Sequence, residues 1–415
     1  MKYGILNLVV KISGKINGHY KKINLFIKKR GNYFIPVSSY IIKDSESDEQ
    51  FNFLFIGWDQ KLCHYWLSRF PGEFEIRPER KNIATWKIPE FLKKNEGKFD
   101  LVIIESNRKA LPDQYPGSFL LPRWMEMELD TESFLKSHCK KIKKRIKKYS
   151  FGYEIRTGIE AFDLFYHTMY KPYILKRHGL AADLPDYKHF HSKWFNTQWV
   201  LFFLTRKDEP VAAKFIGLKQ GRYRLIFMGI KDGSDEIVKR GAIGALSYFS
   251  MLYYYEKGIK SLLAGVSMPV VFDGVTQSKL LLGAQPYLKD LEKRTRYYFI
   301  PVSTKPLTIN ILKSNPLFYH SGGTLNIALF LSVEDYQSKE DFFKFFNRLK
   351  TIKVKIIRII CFDNPEKIIQ WMNEENVTDI KTINYAGKSK FPFGKFTNVL
   401  LNTPVQSSHS PGFRI

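Results

Sequence analysis

The segment from Gly258 to Tyr287 restricts the possible folds of this chain more than any other. Its residues 261–265, SLLAG, predict a short buried strand that runs into a polar turn at Ser267. The acid–glycine pair Asp273-Gly274 then predicts the start of a helix that carries Lys279. Because a helix start leaves backbone amides free and its dipole favours negative groups, α/β folds bind ligands at such junctions. The segment therefore predicts an α/β protein with a ligand site near Ser267.

Apolar runs that alternate with helical patterns extend this prediction along the chain. FNFLFIGW at 51–58 and FDLVIIES at 99–106 predict buried strands, with helical patterns between them. Residues 324–384 give the order strand, helix, strand, helix, strand. Apolar strands separated by helices are typical of parallel βα units, so the expected fold class is α/β. The tail after Lys388 is rich in Gly, Pro and Ser and is expected to be loose.

The net charge of this 415-residue chain is +26. Such a charge favours polyanions such as tRNA, an acidic lipid surface or a nucleotide cofactor. A general bias towards lysine is the alternative source of the charge. The charge alone therefore does not name a partner.

The cations are densest in a predicted helix that begins at Asp130 or Thr131. Its apolar residues recur at helical spacing and predict an inward stripe: Leu135, Cys139, Ile142 and Ile146. Eight cations surround that stripe: Lys136, Lys140, Lys141, Lys143, Lys144, Arg145, Lys147 and Lys148. Two interpretations stay open, a solvated helix face or a binding surface for tRNA or an anionic membrane.

Three cysteines, Cys63, Cys139 and Cys361, lie far apart without CxxC spacing. This pattern favours reduced thiols over a disulfide framework or a zinc site. His189 and His191 have no Cys or carboxylate cluster beside them, so no metal site is expected. No apolar run approaches the ~20 residues of a membrane span, and the N-terminal apolar stretch lacks a signal-peptide cleavage site. A cytoplasmic protein without an integral membrane span is expected.

Residues 153–302 give the element order β, α, α, β, β, β, α, β, α, β. Within them stand FYHTMYKPYILKRHG at 165–179, VAAKFIG at 211–217 and YYEKGIKSLLAGVSMPVVFDGVTQSKLLLGAQP at 254–286. These segments resemble the first helix, the substrate-contacting strand and the closing stretch of the GNAT acyltransferase fold. More closely, the chain is similar to the FemAB-like, double-GNAT group that includes CelD-type acyltransferases. The resemblance covers roughly residues 50–302.

The resemblance implies tandem GNAT-like domains, and the strand–helix pattern adds a small C-terminal α/β module outside the resemblance. The implied domains are a degenerate N-terminal half at 1–129, a GNAT-like acyltransferase domain with the basic linker helix at 130–302, and the module with its loose tail at 303–415. The implied reaction moves an acyl group from a CoA-type donor to an amine or hydroxyl of a cell-surface or polysaccharide precursor. Two alternatives stay open: an aminoacyl-tRNA-dependent FemAB-type peptidyl ligase, and a basic RNA- or membrane-binding protein with an inactive GNAT core.

In GNAT enzymes an Arg/Gln-x-x-Gly-x-Gly/Ala loop at a helix start holds the CoA diphosphate. At the corresponding place this chain has Lys239, Arg240, Gly241 and Gly244, which the resemblance implies as cofactor-binding residues. The spacing departs from the family pattern, because the residue three after Arg240 is Ile243. FemAB-type ligases that use aminoacyl-tRNA also lack this loop.

Five further residues are candidates for the site. Asp273 and His178 are the candidate catalytic residues, although each also fits a helix-capping role. Lys214, Ser267 and Lys279 are the candidate substrate-binding residues. Lys214 would bind an anionic group if it faced the cleft, whereas strand alternation could equally point it to solvent. Lys279 would pair with Asp273 or with an anionic substrate, or lie on the surface.

Overall fold

The computed structural model describes most of the chain between residues 34 and 402. The described ranges are 34–43, 49–76, 81–106, 117–178, 184–194, 197–287, 296–321, 323–375, 377, 380–384 and 397–402.

The described strands lie in two separate sheets. In chain order they are β1 (Phe34–Lys43), β2 (Gln50–Ile56), β3 (Glu73–Ile76), β4 (Lys81–Ala84), β5 (Leu101–Ser106), β6 (Phe119–Pro122), β7 (Met125–Asp130), β8 (Phe151–Arg156), β9 (Trp199–Arg206), β10 (Glu209–Lys219), β11 (Arg222–Ile230), β12 (Ser261–Ser267), β13 (Gln285–Pro286), β14 (Arg296–Pro301), β15 (Leu317–Ser321), β16 (Thr324–Leu331), β17 (Ile356–Cys361), β18 (Ile380–Asn384) and β19 (Thr397–Asn402). Each sheet mixes parallel and antiparallel pairs, so the predicted α/β class is confirmed.

Helices connect the strands in the order that the sequence pattern predicts. They are α1 (Gln60–Leu67), α2 (Ile88–Lys94), α3 (Thr131–Ser137), α4 (Lys140–Tyr149), α5 (Ile159–Leu164), α6 (Lys171–His178), α7 (Tyr187–Trp194), α8 (Asp235–Lys239), α9 (Ala242–Glu256), α10 (Gly274–Leu281), α11 (Pro306–Ser314), α12 (Lys339–Lys350) and α13 (Pro365–Glu374). A π-helical segment, Phe165–Tyr170, joins α5 to α6.

The described chain divides into two compact units. The first lies within residues 34–123, 293–342 and 355–402, and the second within 124–292 and 343–354. This division differs from the three consecutive domains that the sequence predicts. The difference arises because β14 pairs with β5 and β6, which places a strand expected at the end of the middle domain in the sheet of the first unit.

The sheet of the first unit has the strand order β18-β19-β17-β16-β15-β6-β14-β5-β2-β1-β3, with β4 beside β1. The two strands predicted near residues 51 and 99 pair in parallel, with Phe53 opposite Leu101. The predicted strands and helices of residues 324–384 are present as β16, α12, β17, α13 and β18. The tail predicted to be loose contributes β19, which pairs antiparallel with both β17 and β18.

The sheet of the second unit has the strand order β13-β7-β12-β11-β10-β9-β8. Tight turns join β9 to β10 and β10 to β11, as the sequence predicts. Lys207 and Asp208 in the first turn, and Gln220 and Gly221 in the second, all have positive φ. Two successive residues with positive φ form the type I′ turn whose twist suits a β-hairpin.

The predicted basic helix consists of two shorter helices, α3 and α4. Asp130 caps α3 through its side chain, which accepts a hydrogen bond from the Ser133 amide at 2.7 Å. His138 ends α3 and Cys139 begins α4, so the cations of residues 140–148 all belong to α4. We call α4 the basic helix below.

The parallel strands β11 and β12 separate soon after they meet. Arg224 opposite Leu263 is the single register pair that joins them within the described strands. An extra residue, Ile226, interrupts the register of β11 with β10. A second irregularity interrupts the register of β12 with β7, next to Gly265, whose φ is 73°. Bulges re-aim strands, so these two let the pair part at one place. The sheet of the second unit is therefore mixed, and its two parallel central strands part after a single register pair.

Gly229 on β11 lies directly against the π-helical segment. A Cβ at this position would lie 2.5 Å from the carbonyl carbon of Met169 and 2.5 Å from the backbone nitrogen of Tyr170. Backbone cannot swing aside as a flexible side chain can, so any larger residue must displace the π-helical segment.

We expect Gly229→Ala to lower the free energy of unfolding by roughly 1–3 kcal/mol, the usual cost of overpacking. Urea unfolding measures this change. Gly274→Ala is the matched control, because nothing lies within 4 Å of a Cβ placed there. Equal stability of the two variants would contradict the close contact.

Candidate active site

A groove follows β11 from the point where it parts from β12. Beyond that point four residues of β11, 225–228, are partly exposed, whereas its neighbour β10 is buried over residues 211–217. A central strand of a sheet is ordinarily covered on both faces, so this partial exposure indicates an opening beside β11. We call it the β11–β12 groove.

Lys279 of α10 lies at the wall of this groove. Its Nζ donates a hydrogen bond to the carbonyl of Val266 at 2.7 Å. The same atom lies 3.8 Å from the position that a Cβ on Gly265 would occupy. Burial lowers the pKa of Lys279 to about 8, and the charges of Asp273 and Glu126 partly oppose this shift. The ammonium can therefore lose its proton near neutral pH.

Ser267 ends β12 and is buried. Its backbone pairs with Met125 of β7. Its hydroxyl oxygen has no hydrogen-bond partner among the described residues. Because an unsatisfied buried hydroxyl costs free energy, such a group in a native protein calls for a partner outside the chain.

Asp273 has a structural role at the start of α10. Its Oδ1 accepts hydrogen bonds from the amides of Val275 at 3.0 Å and Thr276 at 3.1 Å. This is the capping geometry that the sequence offered as the alternative to catalysis. The cap fixes the first turn of the helix that carries Lys279.

Two carboxylates that the sequence analysis did not single out face two arginines across β12. Glu126 Oε1 of β7 lies 2.8 Å from Arg224 Nη2 of β11, and this glutamate is buried. Glu128 pairs in the same way with Arg222. The hydroxyl of Ser261, on the intervening strand β12, donates to Glu128 at 2.6 Å. The sequence signal for this cluster is spacing: Glu-x-Glu in MEMELD and Arg-x-Arg in RYR. Residues two apart lie on the same face of a strand, so the two glutamates share one face of β7 and the two arginines share one face of β11.

Lys214 is buried rather than exposed to solvent. It is 6% exposed, and its Nζ donates to Ser247 Oγ of α9 at 3.0 Å. Burial lowers the pKa of Lys214 to about 7. No carboxylate pairs with it among the described residues. The solvent-facing alternative is therefore wrong, and a role in binding substrate stays a prediction.

The residues predicted to hold a CoA diphosphate are covered by the basic helix. Gly241 is buried, and a Cβ on it would lie 2.7 Å from Cδ of Arg145. A Cβ on Gly244 would lie 3.3 Å from Cγ1 of Ile142. The guanidinium of Arg240 pairs with Glu236 one helical turn earlier.

These contacts give the two glycines a packing role, because any side chain there would collide with the basic helix. Lys239, the fourth predicted residue, ends α8. The role of these four residues in binding a diphosphate stays a prediction. The side chain of His178, at the end of α6, lies outside the described residues.

The basic helix presents its cations to solvent. Seven of them are exposed: Lys140, Lys141, Lys143, Lys144, Arg145, Lys147 and Lys148. None forms an ion pair with a carboxylate of the described chain. Cys139 is buried, and Ile142 and Ile146 are half-buried, which confirms the predicted inward stripe.

Within the part of the chain that the structure describes, no helix has the length and apolarity to cross a bilayer.

No family model matches the chain, and no curated protein matches it either. Among solved structures, the chain is similar to the C-terminal domain (DUF2156) of a putative lysylphosphatidylglycerol synthetase from Agrobacterium fabrum, at a TM-score of 0.32 and 10% identity over 66% of this chain and 83% of that one. It is similar to FemX at a TM-score of 0.33 and 10% identity, over 64% of this chain and 84% of that one. It is also similar to a tandem GNAT protein from the clavulanic acid biosynthesis pathway, at a TM-score of 0.26 and 10% identity over 60% of this chain and 76% of that one. At these values the likenesses extend to neither substrate nor mechanism.

We expect Lys214→Met to raise the free energy of unfolding at pH 7 by about 3–5 kcal/mol, because the charged amine loses hydration in the fold. The pKa of Lys214 falls from 10.5 to about 7 on folding. Between those pH values the unfolded chain binds more protons, so the stability of the native protein rises with pH in this window.

The advantage of the Lys214→Met variant should therefore shrink between pH 7 and 10. Chemical unfolding at several pH values measures it. Lys219→Met, at the exposed end of the same strand, is the control and should change stability little. A Lys214→Met variant less stable than the native protein at pH 7 would show that the amine makes favourable contacts that outweigh its burial.

Proposed function

We propose that the second unit is a transferase that moves an activated acyl or aminoacyl group to an amine or hydroxyl acceptor in the β11–β12 groove. The observation that carries this proposal is the parting of two parallel strands at paired bulges, beside a lysine whose pKa is about 8. Parted strands leave backbone amides without sheet partners, and such amides can hold a developing oxyanion. The groove thus combines a channel for an extended donor with a titratable amine.

In this proposal Lys279 takes the proton of the attacking acceptor. The acceptor nitrogen or oxygen bonds to the acyl carbon, and the bond from that carbon to the carrier oxygen breaks. The proton held by Lys279 then passes to the leaving oxygen, so no covalent enzyme intermediate forms. Ser267 supplies a hydroxyl for the acyl carbonyl or the acceptor, and Asp273 holds the start of α10 in place. His178 remains a predicted catalytic residue.

The carrier in this proposal is an RNA rather than CoA. The two glycines predicted to hold a CoA diphosphate pack against Arg145 and Ile142, whereas seven exposed cations without carboxylate partners lie on the basic helix. Closely spaced cations on one helix repel one another, and phosphates relieve that repulsion. An aminoacyl-tRNA supplies both an activated ester and a phosphate backbone.

A lipid surface is the weaker partner for the basic helix. Interfacial helices insert an apolar face into the headgroup region. The apolar stripe of this helix instead packs inside the unit, where Ile142 approaches Gly244. The acceptor class follows the family resemblance, an amine or hydroxyl of a cell-surface or polysaccharide precursor.

The first test removes charge from the basic helix. We expect replacement of Lys140, Lys143, Lys144 and Lys147 by Gln to weaken binding of mixed tRNA and to make its dependence on log salt shallower, by roughly one unit for each phosphate that is no longer neutralised. Folding should persist because exposed charges contribute little to stability. Fluorescence anisotropy with labelled tRNA measures binding, and circular dichroism checks the fold.

The matched control replaces four exposed lysines of the first unit, Lys87, Lys93, Lys94 and Lys98, by Gln. Both variants lose the same net charge. Equal weakening in the two variants would show a general charge effect and reject the basic helix as the RNA surface. Binding to anionic vesicles but not to tRNA would show that the partner of the basic helix is a membrane surface.

The second test concerns Lys279. The native transfer rate should rise as pH passes through about 8, because the neutral amine is the base and forms above its pKa. We expect Lys279→Met to lower the rate by roughly 10²–10⁴-fold and to remove this limb of the pH profile. The assay follows radiolabel from a mixture of charged tRNAs into an extract of lipids and envelope precursors.

A parallel assay with labelled acetyl-CoA tests the identity of the donor. Transfer of label from acetyl-CoA would show that the donor is an acyl-CoA and not an aminoacyl-tRNA. Lys260→Met, an exposed change outside the groove, is the control. If the Lys279→Met variant keeps the rise in rate through about pH 8, the group that titrates belongs to the acceptor and not to Lys279. If the native protein binds tRNA but transfers from neither donor, it is an RNA-binding protein with an inactive core.

A further inference from the structure

A second cavity opens at the other end of the sheet of the second unit. Its volume is about 440 Å³, and it lies between the last turn of α9, the starts of β9 and β11, and the loop after β8. The β11–β12 groove opens beyond Leu225, whereas this cavity meets β11 at Tyr223. Its volume falls in the range of small-molecule sites.

Tyr254 lines this cavity. The residue is 2% exposed, and its ring packs against Tyr223 with centroids 4.5 Å apart and against Tyr253 at 5.2 Å. The hydroxyl forms no hydrogen bond with any residue that the structure describes. Burial raises the pKa of Tyr254, so this hydroxyl stays protonated and can donate. Tyrosine hydroxyls in protein interiors ordinarily donate a hydrogen bond, so a ligand acceptor atom in this cavity would suit Tyr254.

Lys257 is the single charged residue among those lining the described cavity, and it lies at the exposed end of α9. Its Nζ lies 4.4 Å from the centroid of the Tyr253 ring. No carboxylate of the described residues lines the cavity. The electrostatic complement of this lining is therefore a ligand with one negative charge.

The remaining walls combine apolar and aromatic side chains with the polar residues Thr157, Thr197 and Gln198. Val200 and Ile216 project from neighbouring strands, and Trp199 stacks on Phe215 with centroids 5.2 Å apart. The edges and faces of the aromatic rings favour another aromatic ring. The aromatic part of the lining therefore suits a planar ring, and Lys257 suits an anionic head group.

We propose that this cavity binds a small aromatic carboxylate of one or two rings, whose carboxylate accepts hydrogen bonds from the Tyr254 hydroxyl and pairs with Lys257. The ring lies among Tyr223, Tyr253 and the apolar floor. The site is separate from the β11–β12 groove and does not depend on the transferase activity.

The test uses 1-naphthylacetate as probe and the full chain. Saturation-transfer NMR and calorimetry should detect saturable binding, and the neutral analogue 2-(1-naphthyl)ethanol should bind roughly tenfold more weakly because it lacks the charge. Tyr254→Phe removes one hydroxyl and keeps the ring. It should weaken naphthylacetate binding roughly fivefold to tenfold. Lys257→Gln should weaken it by a similar factor.

Tyr255→Phe and Lys260→Gln are the matched controls, because both residues are exposed and neither lines the cavity. Their affinities should equal the native value. Absence of saturable binding to the native protein at millimolar probe would overturn the proposal. So would equal binding of the neutral analogue, or native affinity in both Tyr254→Phe and Lys257→Gln. All four variants change exposed or cavity-lining atoms, and unchanged thermal unfolding would confirm that they fold.

Discussion

Two carboxylate–guanidinium pairs that cross β12 hold together the closed end of the β11–β12 groove. Strand β12 lies between β7 and β11, yet Glu126 and Glu128 of β7 reach past it to Arg224 and Arg222 of β11. The contact of Arg222 with Glu128 is a charged hydrogen bond, which is strong and directional, and Arg224 and Glu126 form an ion pair at 2.8 Å. These two pairs hold the first residues of β11 beside β12. The strands therefore part only after Arg224, where the bulge at Ile226 begins.

The irregular end of β12 and the helix α10 that follows it are in direct contact. Gly265 turns β12 away, and a Cβ at that position would lie only 3.1 Å from the Leu225 carbonyl oxygen, which is tighter than ordinary van der Waals contact. The carbonyl of Val266, the next residue, accepts a hydrogen bond from the Lys279 ammonium. The irregular end of β12 therefore also holds the lysine in place. The low pKa of that lysine results from its position where water is scarce.

Local pattern was sufficient to predict most elements and insufficient to predict which of them pair. The hairpin of β9 and β10 and the helix from Asp273 follow from turn chemistry and periodicity, which act within a few residues. The pairing of β14 with β5 depends on strands almost two hundred residues apart, and no local period encodes it. Gly241 was predicted only as a ligand contact, because the sequence does not show that Arg145 of another helix packs against it.

The Glu-x-Glu and Arg-x-Arg spacings did not predict an ion-pair cluster, because the sequence does not show that β7, β12 and β11 are neighbours in the sheet.

The placement of the basic helix has a consequence of its own. A helix start carries partial positive charge, and here Arg145 lies on the start of α9 with other cations beside it. Like charges gathered at a positive dipole end raise the energy of the free folded protein. Anything that neutralises these charges lowers that energy, so a bound anion would stabilise the folded protein at the start of α9.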